Sequence, residues 1–176
     1  STLLAFSGLW AVPWLSTGHG FACHIQCFQK TVLFDTGWSG QILQENMQRL
    51  GLAFGDVDVV VLSHMHWDHI GGLDAVLHDN AQLAVCVPRS FSEHLKEEIR
   101  RSGATVVETD HQHPVCPGAW TTGVLTGTVQ EQALCLQTAE GTAVVTGCAH
   151  PGVVNLARAA GETCGLPLHA ALGGFH

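Results

Sequence analysis

The sequence is short of positive charge. Seven lysines and arginines stand against fifteen aspartates and glutamates, giving a formal charge of −8 over 176 residues. No basic stripe is available to neutralise phosphates along a polymer, which argues against nucleic-acid binding. Charged residues of all kinds make up 12% of the chain and hydrophobic residues 46%, a balance that excludes an intrinsically disordered protein and describes a soluble, packed one. Long apolar runs are also missing: no stretch approaches the roughly 20 residues of a membrane-spanning helix. The apolar start from Ser1 to Leu15 has no basic leader and contains Pro13, so it reads as domain and not as a signal peptide. Paired cysteine spacings are absent as well. Cys23, Cys27, Cys86, Cys116, Cys135, Cys148 and Cys164 are odd in number and scattered, which favours reduced thiols in a cytoplasm over a disulfide framework or a zinc finger. With no linker or repeat, the length suits one domain over residues 1–176.

What the sequence does have is concentrated between Val57 and Gly72. A β-branched run, Val57-Asp58-Val59-Val60-Val61-Leu62, reads as a buried strand, and His64-Met65-His66-Trp67-Asp68-His69 follows at once. Imidazole and carboxylate are ligands that zinc, manganese and iron share, and a tight loop at the end of a rigid strand can aim several of them at one point. His64 and His66 alternate with Met65 and can face one centre; Asp68 and His69 follow at a different angle, which suits a second. The adjacent Gly71-Gly72 is expected to let backbone approach the metals closely.

Elsewhere strands and helices alternate. Strands are expected at Thr2–Phe6, Phe21–Ile25, Thr31–Phe34, Leu83–Val87, Thr105–Val107, Trp120–Leu125, Gln132–Gln137, Thr142–Thr146 and Leu168–Leu172. Helices are expected from Ser39 to Leu50, from Ile70 to His78, after a capping box at Ser90 and Glu93, and from Gly152 to Ala160. The stretch Gly8 to Gly20 reads as a loop whose Trp10 and Trp14 fill core or line a pocket. A second His-x-His, Asp110-His111-Gln112-His113-Pro114, is explained by a polar turn before proline. Together these elements suggest an α/β (α+β) protein with two mixed sheets covered by helices.

These residues carry a family resemblance. His64-Met65-His66-Trp67-Asp68-His69 resembles the His-x-His-x-Asp-His signature of the metallo-β-lactamase superfamily, and Asp35-Thr36-Gly37 resembles its first motif. Glu131-Gln132-Ala133-Leu134, Gly147-Cys148-Ala149-His150-Pro151-Gly152 and Gly173-Gly174-Phe175-His176 are similar to a narrower branch, the proteins related to dihydropterin-ribofuranosylaminobenzene-phosphate synthase. The resemblance implies a metallo-β-lactamase-like αββα sandwich. It also implies two divalent cations, zinc first with manganese or iron as alternatives, holding a hydroxide between them. His64, His66 and His150 are then assigned to one metal, and Asp68, His69 and His176 to the other, with Asp68 also orienting the nucleophile or taking its proton. Asp35 supports a metal-bound histidine, and Cys148 is either a thiolate ligand or buried, with a position beside the site and no direct ligation favoured.

The sequence departs from the pattern in three places. The histidine of the third superfamily motif is replaced around Glu131, so His150 is its expected substitute and Glu131 a neighbour of the site. Gly147-Cys148 stands where a bridging aspartate is usual. The branch continues past its Gly-Gly-Phe-His with another strand and a His-Cys-Thr-Gly segment, so the chain is expected to be C-terminally short of one ligand or substrate contact. The implied activity is a hydrolase of a small anionic substrate, a phosphate ester or phosphodiester. The alternatives are a transferase using a dihydropterin pyrophosphate, or a metal-binding module without catalysis.

Overall fold

Apolar residues recur every second position along most strands, so each strand presents one face to each of two different cores. In the computed structural model, which describes residues 2–7 and 14–175, these strands form two mixed sheets. The order along the chain is β1 (Thr2–Ser7), β2 (Phe21–Cys27), β3 (Lys30–Phe34), α1 (Gly40–Arg49), β4 (Val59–Val61), α2 (Trp67–Ile70), α3 (Leu73–Asp79), β5 (Ala84–Pro88), α4 (Glu93–Arg101), β6 (Thr105–Thr109), β7 (His111–Cys116), β8 (Ala119–Leu125), β9 (Glu131–Gln137), β10 (Thr142–Thr146), α5 (Val153–Cys164) and β11 (Leu168–Gly173). The first sheet runs β1-β2-β3-β4-β5-β6 and the second β11-β10-β9-β8-β7. β3 to β6 pair in parallel, as do β10 and β11, while the remaining pairs are antiparallel.

Three apolar layers separate the elements. Val32, Phe34, Val59 and Val61 meet Leu134, Leu136, Ala143 and Val145 between the sheets. On the other face of the first sheet, Leu33, Val60 and Val85 pack under Leu43 and Met47 of α1, Val76 of α3 and Ile99 of α4. On the far face of the second, Ala133, Cys135 and Val144 pack under Leu156 and Ala160 of α5. This is an αββα sandwich, and the alternation within β3 and β9 is what assigns each residue to its layer.

Several boundaries differ from expectation for identifiable reasons. The helix expected from Ile70 to His78 is broken into α2 and α3 at Gly71-Gly72. What these glycines accommodate is neighbouring backbone. A Cβ at Gly71 would lie 2.3 Å from the Trp38 carbonyl oxygen, and one at Gly72 would lie 2.3 Å from that of Thr36, so they admit the loop that follows β3. The cap of α4 is Ser92, whose hydroxyl accepts from the Leu95 N–H, and not Ser90. The segment from His111 to Pro114 is a strand and not a polar turn. It lies at the edge of the second sheet, where proline's missing N–H costs no ladder bond, and its pairing with β8 shifts register between Pro114 and Cys116.

One side chain joins the sheets beside the metal-motif loop. The Gln132 amide donates to the Leu62 carbonyl at 2.8 Å and accepts from the Thr109 hydroxyl at 2.7 Å, and its backbone N–H donates to the Ser63 carbonyl at 3.0 Å. Replacing Gln132 with alanine keeps the backbone bond and leaves the Thr109 hydroxyl its bond to the Val87 carbonyl at 3.0 Å, but takes the side-chain donor away from the buried Leu62 carbonyl. At about 1–3 kcal/mol for an unsatisfied buried group, urea unfolding of Gln132→Ala should show a loss of about 2 kcal/mol, and an unchanged midpoint would deny the amide this role.

Candidate metal centre

Four segments from the two sheets supply the site. β3 ends at Asp35, which adopts a left-handed backbone (φ 56°), donates its N–H to the Val61 carbonyl and is fully buried. The neighbouring β4 ends at Ser63-His64. α2 presents Asp68 and His69, and β10 runs into Gly147-Cys148-Ala149-His150.

The Asp35 carboxylate organises the first two segments. Oδ1 accepts from the Ser63 N–H at 2.7 Å; Oδ2 accepts from the Ser63 hydroxyl at 2.6 Å and faces His69 Nδ1 at 2.7 Å. The Thr36 N–H and hydroxyl hold the His69 carbonyl at 2.8 and 3.0 Å. Both ends of His69 are thereby fixed with its ring Nε2 directed away from Asp35.

Two overlapping groups of donor atoms result. His64, His66 and His150 bring ring nitrogens within 4.8 Å of one another; so do His64 and His69 with the Cys148 sulfur. His69 Nε2 lies 3.1 Å from Cys148 Sγ and 3.4 Å from Asp68 Oδ2, and Asp68 Oδ2 in turn lies 3.7 Å from Nε2 of the exposed His19. Gly20 permits this approach: a Cβ there would lie 1.7 Å from the Asp68 carbonyl oxygen. His64 Nε2 is buried with no hydrogen-bond partner among the described residues, the state of a lone pair built to meet a cation. Nitrogen, thiol and carboxylate donors around that atom suit a zinc-type ion.

Of the residues singled out from sequence, His64, His66, Asp68, His69 and His150 therefore come together with Asp35 behind them. Cys148 lies beside the site, with its sulfur within 4.8 Å of ring nitrogens of His64 and His69. His176 and Trp10 lie outside the described residues. His111 and His113, on the edge strand, join no such group among the described residues.

Glu131 has a different role from a donor. Fully buried, it accepts from the Thr146 hydroxyl (2.8 Å), the Ala149 N–H (3.1 Å) and the His150 N–H (2.9 Å). It holds the loop that carries His150, with Ala149 in the left-handed region (φ 62°). Sequence reasoning placed Glu131 near the site but missed this grip, and missed Ser63 and His19 altogether. The only signal for Ser63 was a lone hydroxyl between an apolar strand and the first histidine.

A family model for the beta-lactamase superfamily domain matches residues 30–160. The chain belongs to the metallo-β-lactamase superfamily. Among curated relatives it is similar to the 7,8-dihydropterin-6-methyl-4-(beta-D-ribofuranosyl)-aminobenzene-5'-phosphate synthase of Methanocaldococcus jannaschii, at 25% identity over 93% of this chain and 71% of the relative. The crystal structure of a metal-dependent hydrolase of the beta-lactamase superfamily superposes with a TM-score of 0.77 at 24% identity, covering 99% of this chain and 76% of the other. Human tRNase Z, short form, superposes with a TM-score of 0.59 at 13% identity over 99% of this chain and 95% of its own. The superfamily fold thus spans both sheets described above.

The histidines of the superfamily signature are electrostatically unlike one another. Burial, together with the neighbouring His69, pushes the His64 pKa down to about 3 despite Asp35. Burial would lower His69 too, but the Asp35 carboxylate and Cys148 outweigh it and raise His69 to about 10. The contribution of His64 to stability is complete above its ordinary 6.5 and lost as pH falls toward 3; that of His69 is complete below 6.5 and lost as pH rises toward 10. The metal-free chain, unfolded by urea in the presence of a chelator, should therefore be most stable near pH 6.5. His69→Asn should flatten the alkaline limb, and a wild-type limb that is already flat would contradict the charge assignment.

Proposed function

We propose that the chain is a metal-dependent hydrolase that uses two divalent cations, zinc first among them, and acts on a phosphate ester or phosphodiester. The observation that carries this reading is the pair of donor groups meeting at His64. His64, His66 and His150 would hold one ion; His69, Cys148 and Asp68 would hold the other, with His176 as a further ligand. Bound there, divalent ions supply a nucleophile from water near neutral pH and stabilise charge on substrate oxygens.

The chain's own residues do the rest. Asp68, partly exposed at the mouth of the site, orients the attacking water and accepts its proton. Asp35 stays behind the ligands as an acceptor, and Glu131 keeps His150 in place. With a formal charge of −8 the protein's own field repels anions, so the cations are what would draw a phosphate ester to this site. A second reading, transfer from a dihydropterin pyrophosphate, is favoured by the similarity to the M. jannaschii synthase over 93% of this chain.

Metal content of the purified chain, measured with turnover of bis-p-nitrophenyl phosphate, tests both. About two ions per chain and a fall in kcat of about 10²–10⁴-fold in Asp68→Ala are expected for the hydrolase. Two ions without turnover of the diester would shift the assignment to the transferase, tested next with a pterin pyrophosphate. Fewer than two ions would overturn the dinuclear reading.

A further inference from the structure

We propose that Ser63 is a positioning residue through which the single carboxylate of Asp35 sets the ring tautomer of His64 as well as that of His69. The inference rests on the metal-site reading above and deepens it.

Proton counting carries it. An ionised carboxylate only accepts, and a serine hydroxyl has one proton to give. At 2.6 Å from Asp35 Oδ2, the Ser63 hydroxyl gives that proton to the carboxylate. Its oxygen then has only lone pairs to offer His64 Nδ1, which lies 2.9 Å away. Nδ1 must therefore carry the hydrogen, and the neutral ring is left with its lone pair on Nε2. That is the buried atom without a hydrogen-bond partner among the described residues, and His64 is the residue common to both donor groups. His69 Nδ1 donates directly to the same Oδ2 at 2.7 Å, so its Nε2, facing Cys148 and Asp68, is the nitrogen that would meet an ion after giving up its own proton.

The surroundings protect this relay. Ser63, His64 and Asp35 are all fully buried. Gly147, at the end of β10, closes over the pair: a Cβ there would lie 2.3 Å from Ser63 Oγ and 3.0 Å from His64 Nδ1. Neither water nor a side chain at that position then competes for the hydroxyl. The Ser63 N–H bond to Asp35 Oδ1 is a backbone bond at 2.7 Å, so removing the hydroxyl leaves the loop anchored.

Ser63→Ala is thus a narrow probe. Long-range nitrogen–proton NMR of the metal-free chain at neutral pH should show His64 protonated on Nδ1 in the wild type, and protonated wholly or partly on Nε2 in Ser63→Ala, with the His69 Nδ1–H signal unchanged in both. Zinc titration of the same samples should show affinity falling about 10–100-fold in the variant, the usual scale for an outer-shell partner. Wild-type His64 protonated on Nε2, or a tautomer unmoved by Ser63→Ala, would overturn the relay; lowered stability without a tautomer change would make Ser63 merely structural. The NMR result does not depend on metal or turnover, so failure of the hydrolase reading would leave it standing or falling separately.

Discussion

A carboxylate with no access to water must be surrounded by donors or it does not stay ionised. Asp35 meets that requirement with a backbone N–H, a hydroxyl and an imidazole N–H, all within 2.7 Å. Because these donors come from β4's end and from α2, satisfying the charge also brings His64 and His69 side by side, with ring centroids 4.2 Å apart. The rest of the centre is assembled around that pair. His66 packs edge-on against His64 from the same loop, and His150 reaches both from the second sheet.

The second sheet needs its own fixture, and Glu131 provides it. Where the superfamily pattern would place a histidine on this strand, the chain has a carboxylate whose acceptors are filled by the loop after β10. The imidazole that this sheet brings against His64 and His66 is that of His150, two residues beyond Cys148. The exchange is coherent: a carboxylate at Glu131 holds backbone N–H groups, which a neutral imidazole with one lone pair could not do for all three donors.

Much of this was legible in the sequence because it is local. Short β-branched and apolar runs bounded by turn residues marked most strands, and the compressed ligand-type residues after Leu62 marked the site. The misjudged parts depend on what lies across space. Nothing within Asp110–Pro114 reveals that it borders a sheet, where proline is harmless. Gly71-Gly72 looked like room for metal because the carbonyls of Thr36 and Trp38, more than thirty residues earlier in the chain, were not in view. The Ser92 cap competes with an equally good local signal at Ser90. Ser63 acts only through partners that the fold supplies, and the sequence could not tell that Cys148 faces His69 at 3.1 Å.

Glu131 and Gln132 are neighbours on one strand, yet the first grips the loop bearing His150 while the second ties β4's end across the interface. Both halves of the centre are therefore bolted to the same two peptide units. Opening either loop locally would break buried polar contacts to this one strand, which places the opening of each among the costlier local motions of the fold. Of the three histidines that meet across the sheets, His66 is the exposed one, so the rim of the centre is the part least held by these buried contacts.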